Sequence, residues 1–137
     1  MLNTSSAQIR MLVKNPTIIK FIIVGFANTL VGLTVIYLCK WFISLDDISS
    51  NIIGYCVGLI ISFNLNSKWT FRFSGNQWHA FIRFILVFIF SYSANLLTVM
   101  TAIETYNMNS YLAQALGVPP YVLLFYLASR FFVFYQE

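Results

Sequence analysis

The sequence is short of charge. Of 137 residues, eight are Lys or Arg and four are Asp or Glu, so charged side chains make up 9%. A soluble domain carries roughly a quarter. So few charges cannot clothe a solvated surface, which excludes an ordinary soluble enzyme. Metal-ligating and thiol residues are scarce as well: two cysteines, Cys39 and Cys56, and one histidine, His79. There is no CxxC and no Cys/His cluster, which argues against a disulfide framework or a zinc site. Both cysteines lie in apolar stretches and read as buried free thiols. No P-loop, HExxH, GxSxG or EF-hand pattern occurs. No cofactor, no nucleic-acid partner and no catalytic centre is therefore expected.

What the chain has is apolar surface. Hydrophobic residues make up 59% and aromatics 18%, too sticky a composition for disorder. A helix crossing a bilayer needs roughly 20 mostly apolar residues. Four windows qualify, at about 18–43, 49–69, 81–103 and 111–134. An apolar run followed by three more is expected to be a first span and not a cleaved secretory signal. The expected fold is an all-α membrane protein with one domain over 18–137. Residues 1–17 should form a cytoplasmic tail or a surface helix. Pro119 and Pro120 lie inside the fourth window, where proline should kink or break a helix. That face should look into the bundle, where neighbours or water can satisfy the freed carbonyls.

The few charges set an orientation. Arg10, Lys14, Lys20, Lys68, Arg72, Arg83 and Arg130 fall at one side of the four spans. Asp46, Asp47 and Glu104 fall at the other, with Lys40 as the one exception. Cytoplasmic loops carry the Lys/Arg excess, so both termini and the loop between spans two and three are expected in the cytoplasm.

An internal repeat is legible. At an offset of 63 residues Lys20-Phe21-Ile22 meets Arg83-Phe84-Ile85. At an offset of 62, Ser67-Lys68-Trp69 meets Ser129-Arg130-Phe131. Each copy is two helices. A pair of helices returns to the side it left, so the copies should be parallel two-helix repeats related by an axis along the membrane normal. On this alignment Lys68 and Arg130 are equivalent. Lys20, Lys68, Arg83 and Arg130 each precede an aromatic residue near the cytoplasmic boundary. Singly, each is explained as a snorkelling base beside an aromatic belt. Together they could form a cationic ring that captures an anionic headgroup.

The spans hold no Asp or Glu at mid-membrane depth, which argues against proton-coupled transport. Their polar residues are neutral: among them Asn28, Ser62, Asn64, Asn66, Ser91 and Asn95. Asn28 lies eight residues past Lys20, roughly 12 Å deeper along a helix. Interhelical hydrogen bonding accounts for such residues one at a time. Their number also suits a polar seam leading inward from the basic ring.

Specific blocks carry a resemblance. Phe21-x-x-Val24-Gly25-x-x-Asn28-Thr29 opens span one, and Asn51-x-x-Gly54 begins span two. Ser62-Phe63-x-x-Asn66-x-Lys68-Trp69-Thr70-Phe71 closes span two, and Ser129-Arg130-Phe131-x-Val133-Phe134 closes span four. Over about residues 18–135 the chain resembles the GtrA-like family of small four-span bacterial membrane proteins. The resemblance implies a flippase of the bacterial cytoplasmic (inner) membrane. Its cargo would be a polyprenyl-phosphate sugar, typically undecaprenyl-phosphate glucose, used for cell-surface polysaccharide glycosylation such as O-antigen glucosylation. A membrane-bound glycosyltransferase would supply that lipid. The expected substrate-binding residues are Lys20, Asn28, Asn66, Lys68, Trp69, Arg83 and Arg130. The alternative is a non-transporting membrane subunit that anchors or activates the glycosyltransferase. Four helices make a thin wall, so a homo-oligomer is a reasonable assembly.

Overall fold

Four helices account for most of residues 16–136, the part of the chain that the computed structural model describes. Helix α1 is Pro16–Phe42, α2 is Asp47–Leu65, α3 is Gln77–Glu104 and α4 is Ser110–Ala128. Helices α2 and α4 each run on into one π-helical turn, Asn66–Thr70 and Ser129–Val133. All four are long and apolar enough to cross a membrane, and their bounds fall within a few residues of the four windows, except at the start of α3. There the cap at Asn76 starts the helix four residues before Phe81, where the apolar window begins. The tail or surface helix expected over 1–17 lies outside the described residues, apart from Pro16 and Thr17, which open α1.

The chain divides into two units, Met1–Arg72 and Phe73–Glu137. Each holds one helical hairpin: α1 with α2, and α3 with α4. In hairpin one the contact follows a single row along α2. Ser50, Gly54, Gly58, Ser62, Asn66 and Thr70 are all buried, and residues four apart form one ridge of a helix. Small residues on that ridge let the backbone of α1 come close, the usual device for packing helices in lipid. A Cβ at Gly54 would collide with the Ile36 side chain and stand 3.0 Å from the Gly32 carbonyl oxygen. A Cβ at Gly58 would stand 2.8 Å from Oδ1 of Asn28.

The turn between α1 and α2 is closed by backbone hydrogen bonding. Ser44 takes a left-handed conformation, φ 56°, and the Leu45 N–H donates to the Cys39 carbonyl at 3.2 Å. This bond spans six residues and closes the turn onto a carbonyl that also accepts from the Ile43 N–H at 3.3 Å. Asp46 then caps α2, accepting from the N–H groups of Ile48 and Ser49 at 3.1 Å each. Lys40 forms an ion pair with Asp47 across the turn. The one base on the acidic side is thus paired locally.

Hairpin two repeats this plan. The buried ridge of α4 and its π turn is Ala113, Gly117, Phe125, Ser129 and Val133, with half-buried Tyr121 between. Asn107 is left-handed at φ 49°, Met108 N–H donates to the Ala102 carbonyl at 3.0 Å, and Asn109 caps α4 through the Tyr111 N–H at 2.8 Å. Each feature stands 63 residues after its counterpart in hairpin one. So do the π turns, closed by Phe71 N–H to Asn66 O at 2.9 Å and Phe134 N–H to Ser129 O at 2.8 Å. The edge-on ring pair Phe21–Phe71, 6.2 Å between centroids, matches Phe84–Phe134 at 6.0 Å.

This constant offset corrects the alignment of spans two and four at 62. Arg130 corresponds to Ser67, and Lys68 to Phe131. The 62 alignment was drawn by like residues; the backbone bonds fix the register one residue later.

Two further expectations change. Helix α4 continues through Pro119 and Pro120 without a break; Pro119 is exposed and Pro120 half-buried. Cys39 is buried, but Cys56 is exposed on the apolar outside of α2.

The close approach at Gly54 predicts a stability difference between two glycines. Gly54→Ala should cost about 1–3 kcal/mol by overpacking. Gly25→Ala, where nothing lies within 4 Å of the new Cβ, should be neutral or gain up to about 1 kcal/mol of helix propensity. Thermal unfolding in detergent compares the two, and equal effects would refute the packing.

The Asp46 cap predicts an acid response. Its bond with the Ser49 side chain, then the backbone N–H groups, holds the carboxyl below its ordinary value. A lowered carboxyl pKa stabilises fully above the unfolded value, and that contribution is lost as pH falls through the folded value. Amide protection factors at Ile48 and Ser49 should therefore persist down to about pH 4, the ordinary Asp value, and fall only below it. Asp46→Asn should abolish that acid-dependent loss; an identical profile in the variant would remove the cap as its cause.

Candidate functional site

The basic residues gather at the open end of each hairpin, where α1 or α3 begins and a π turn finishes. In hairpin one, Nζ of Lys20 stands 5.3 Å from the ring centroid of Trp69. In hairpin two, the Arg83 guanidinium stands 5.2 Å from the Phe132 ring, and its Nη1 donates to the Phe132 carbonyl at 3.4 Å. These contacts match at the offset of 63. The π turn makes them: its wider winding carries Trp69 and Phe132 to the flank of the neighbouring helix. The aromatics that directly follow Lys20 and Arg83 do something else. Phe21 and Phe84 are buried and serve the hairpin cores.

The structure separates Lys68 from Arg130. Lys68 is exposed. Arg130 donates from Nη1 to the Tyr126 hydroxyl at 3.1 Å and lies 5.3 Å over the ring of its neighbour Phe131. Their equivalence, expected from sequence, does not hold. The matched pair of bases is Lys20 and Arg83.

Inward from Lys20 and Trp69, hairpin one keeps a polar row. Thr70, Asn66 and Ser62 lie on successive turns of the buried ridge, and Gly58, the next step, carries the Asn28 amide against it. Asn66 is only 2% exposed. Its Nδ2 donates to Ser62 Oγ at 3.3 Å. The buried oxygens Asn28 Oδ1, Asn66 Oδ1 and Thr70 Oγ1 accept no hydrogen bond among the described residues. In hairpin two the same is true of Ser91 Oγ and Ser129 Oγ, at the offset of 63 from Asn28 and Asn66. An unmet polar group in an apolar setting costs about 1–3 kcal/mol. Both hairpins bear that cost at the same two places.

Of the expected residues, Lys20, Asn28, Asn66 and Trp69 thus fall on one polar row of hairpin one, while Lys68 stands outside it. Arg83 and Arg130 belong to hairpin two. Thr70, Ser129 and Phe132 were missed. The fourfold spacing from Ser50 to Thr70 was visible in the sequence and could have flagged Thr70. The π turn that recruits Phe132 leaves no such pattern. Among the described residues, no group of three His, Cys, Asp or Glu could hold a metal ion.

The paired cations predict matching energies. Double-mutant cycles of Lys20→Gln with Trp69→Leu, and of Arg83→Gln with Phe132→Leu, should each return a coupling of about 0.5–2 kcal/mol. A Lys68→Gln and Trp69→Leu cycle should return none. Coupling in only one hairpin would contradict the shared geometry.

No curated protein and no solved structure matches this chain. Residues 20–134 match the GtrA/DPMS transmembrane domain. That match begins at Lys20, ends at Phe134 and takes in both hairpins, so the chain belongs to the GtrA/DPMS transmembrane-domain family.

Proposed function

We propose that the chain translocates a polyprenyl-phosphate-linked sugar from the cytoplasmic to the outer leaflet of the bacterial cytoplasmic membrane. Its family is associated with polyprenyl-phosphate sugars in membranes. Undecaprenyl-phosphate glucose, moved for cell-surface polysaccharide glycosylation, is the cargo we favour. The observation that carries this reading is the polar row of hairpin one. A cation held on Trp69 stands at its mouth, and Thr70, Asn66, Ser62 and Asn28 follow inward, with the oxygens of Thr70, Asn66 and Asn28 unmet.

The physics of the cargo asks for such a row. A sugar and a phosphodiester cannot cross the roughly 30 Å hydrocarbon core unaided. The lipid tail stays in the bilayer while the head exchanges water for protein groups. Sugar hydroxyls would donate to the oxygens of Asn28, Asn66 and Thr70 once the hairpin opens along this buried ridge, and Lys20 offers a positive charge to the phosphate. The head carries about one negative charge, so an inside-negative potential favours outward movement by about 2.3 kcal/mol per 100 mV. Consumption of the sugar outside keeps the flow directed, and no catalytic step is required of this chain. In this reading the hairpins are parallel two-helix repeats with basic ends in the cytoplasm, and a membrane-bound glycosyltransferase supplies the lipid.

Proteoliposomes holding the purified chain and labelled lipid-linked sugar test the proposal. The chain alone should move the label, faster under an inside-negative potential. Asn28→Leu should slow movement at least about tenfold, the effect of one lost hydrogen bond to a charged or sugar group, while the amount of folded protein stays near normal. Stimulated synthesis by the glycosyltransferase without any movement would instead identify a membrane subunit that anchors or activates that enzyme.

A further inference from the structure

Hairpin two carries a recess among its polar residues. At its open end, Phe73, Asn76, His79, Ala80, Arg83 and Val133 line a recess of about 290 Å³. Ligand pockets run from roughly 300 to 1,000 Å³, so this recess suits a small head group. His79 and Arg83 are four residues apart on α3 and therefore share one face. Asn76 caps the helix, its Oδ1 accepting from the His79 N–H at 3.1 Å. That bond leaves the Asn76 amide nitrogen as a further donor. The first turn of α3 also carries the positive end of the helix dipole.

Among the described residues that line it, the recess has donors and no carboxylate. The first turn of α3 contains no acid. Glu104, the acid of this helix, lies 21 residues past Arg83, roughly 30 Å along the axis. Arg83 gives one N–H to the Phe132 carbonyl and rests on the Phe132 ring. Its plane is thereby fixed, and the remaining donors of its fork are free for a bidentate contact. The equivalent of this end in hairpin one has Lys20 on Trp69, but Pro16 stands where His79 would be. Proline offers no side-chain donor. The shared scaffold explains the cation on the ring; it does not explain the imidazole and amide added beside it.

We propose that this recess binds a phosphate group carried by a lipid head, with Arg83 as its bidentate anchor and His79 and Asn76 as added donors. The site deepens the transport reading and rests on it for the identity of the lipid. Arg83 is the geometric match to carboxylate-like and phosphate oxygens.

The test is a binding titration of the full-length chain in nanodiscs. Three probes are compared: a polyprenyl phosphate, the matching polyprenol, and inorganic phosphate. His79→Ala removes an exposed side chain, and Arg83→Lys keeps the charge while losing the fork. Arg83→Gln removes both, and thermal unfolding checks that each variant is folded. Polyprenyl phosphate should bind at least about tenfold more weakly to Arg83→Gln and His79→Ala, the loss expected for one charge-assisted hydrogen bond, with Arg83→Lys intermediate. Polyprenol should bind all variants alike. Competition by inorganic phosphate at comparable concentration would overturn the lipid as the source, since the phosphate would then suffice. Unchanged affinity in folded Arg83→Gln and His79→Ala overturns the recess, whatever the unaltered chain transports. A chain that moves no lipid-linked sugar, yet loses phosphate binding in these variants, overturns the transport reading and leaves the recess standing.

Discussion

In hydrocarbon a backbone N–H or carbonyl has no water to turn to, and this constraint shapes everything else in the chain. It makes the spans helical over nearly their whole length. It also makes the helix ends the places where chemistry is arranged. The turn bonds donated by Leu45 and Met108, the caps at Asp46 and Asn109, and the π bonds at Phe71 and Phe134 all engage backbone groups at the helix ends and turns. Against that discipline, the buried oxygens of Asn28, Asn66, Thr70, Ser91 and Ser129 are exceptions. They are side-chain groups, which evolution could replace with carbon at no cost to the helix. The same two places are unmet in both hairpins.

The two hairpins have one frame and different fillings. On the shared ridge, hairpin one places Gly58 and Ser62 where hairpin two places Tyr121 and Phe125. The rings of Phe84, Phe88 and Tyr121 all pack around Phe125, Phe84 at 5.0 Å between centroids. Hairpin two is therefore held largely by aromatic contact, with Ser91 buried inside it and the Asn95 amide against Gly117. Hairpin one is held by close backbone approach, and its polar groups run inward. The volume not taken by aromatics in hairpin one is what the Asn28 amide occupies.

Much of the frame was legible in the sequence because length and hydropathy suffice for it. Four apolar windows, short turns and the split of bases from acids required no knowledge of packing. The register of the repeat was not legible to the residue. Ser67-Lys68-Trp69 looks most like Ser129-Arg130-Phe131, so side-chain likeness prefers an offset of 62. The backbone prefers 63, because Asn66 and Ser129 both open a π turn. A π turn is a choice of hydrogen-bond partner, and nothing in composition announces it. The same gap hid Phe132 as the partner of Arg83. Pro119 and Pro120 misled in the opposite direction: each removes a donor, but a helix in lipid has no cheaper alternative, and α4 runs through them. His79 took no role from the sequence because a lone histidine has no pattern; its place four residues before Arg83 acquires meaning only beside the recess.

The contrast between the hairpin ends is a contrast in how a cation is held. At the closed end of hairpin one, Lys40 meets the carboxylate of Asp47. The charges cancel, and the pair offers nothing to an anion. At the open ends Lys20, Arg83 and Arg130 rest on Trp69, Phe132 and Phe131. An aromatic face attracts a cation through its quadrupole without neutralising it. It restricts where the base can go and leaves its positive field and N–H donors available. A carboxylate partner would hold the base more firmly, but an arriving phosphate would then have to displace it. Holding bases on rings keeps them ordered and uncompensated at once, which is the electrostatic condition an anionic head group requires before it leaves water.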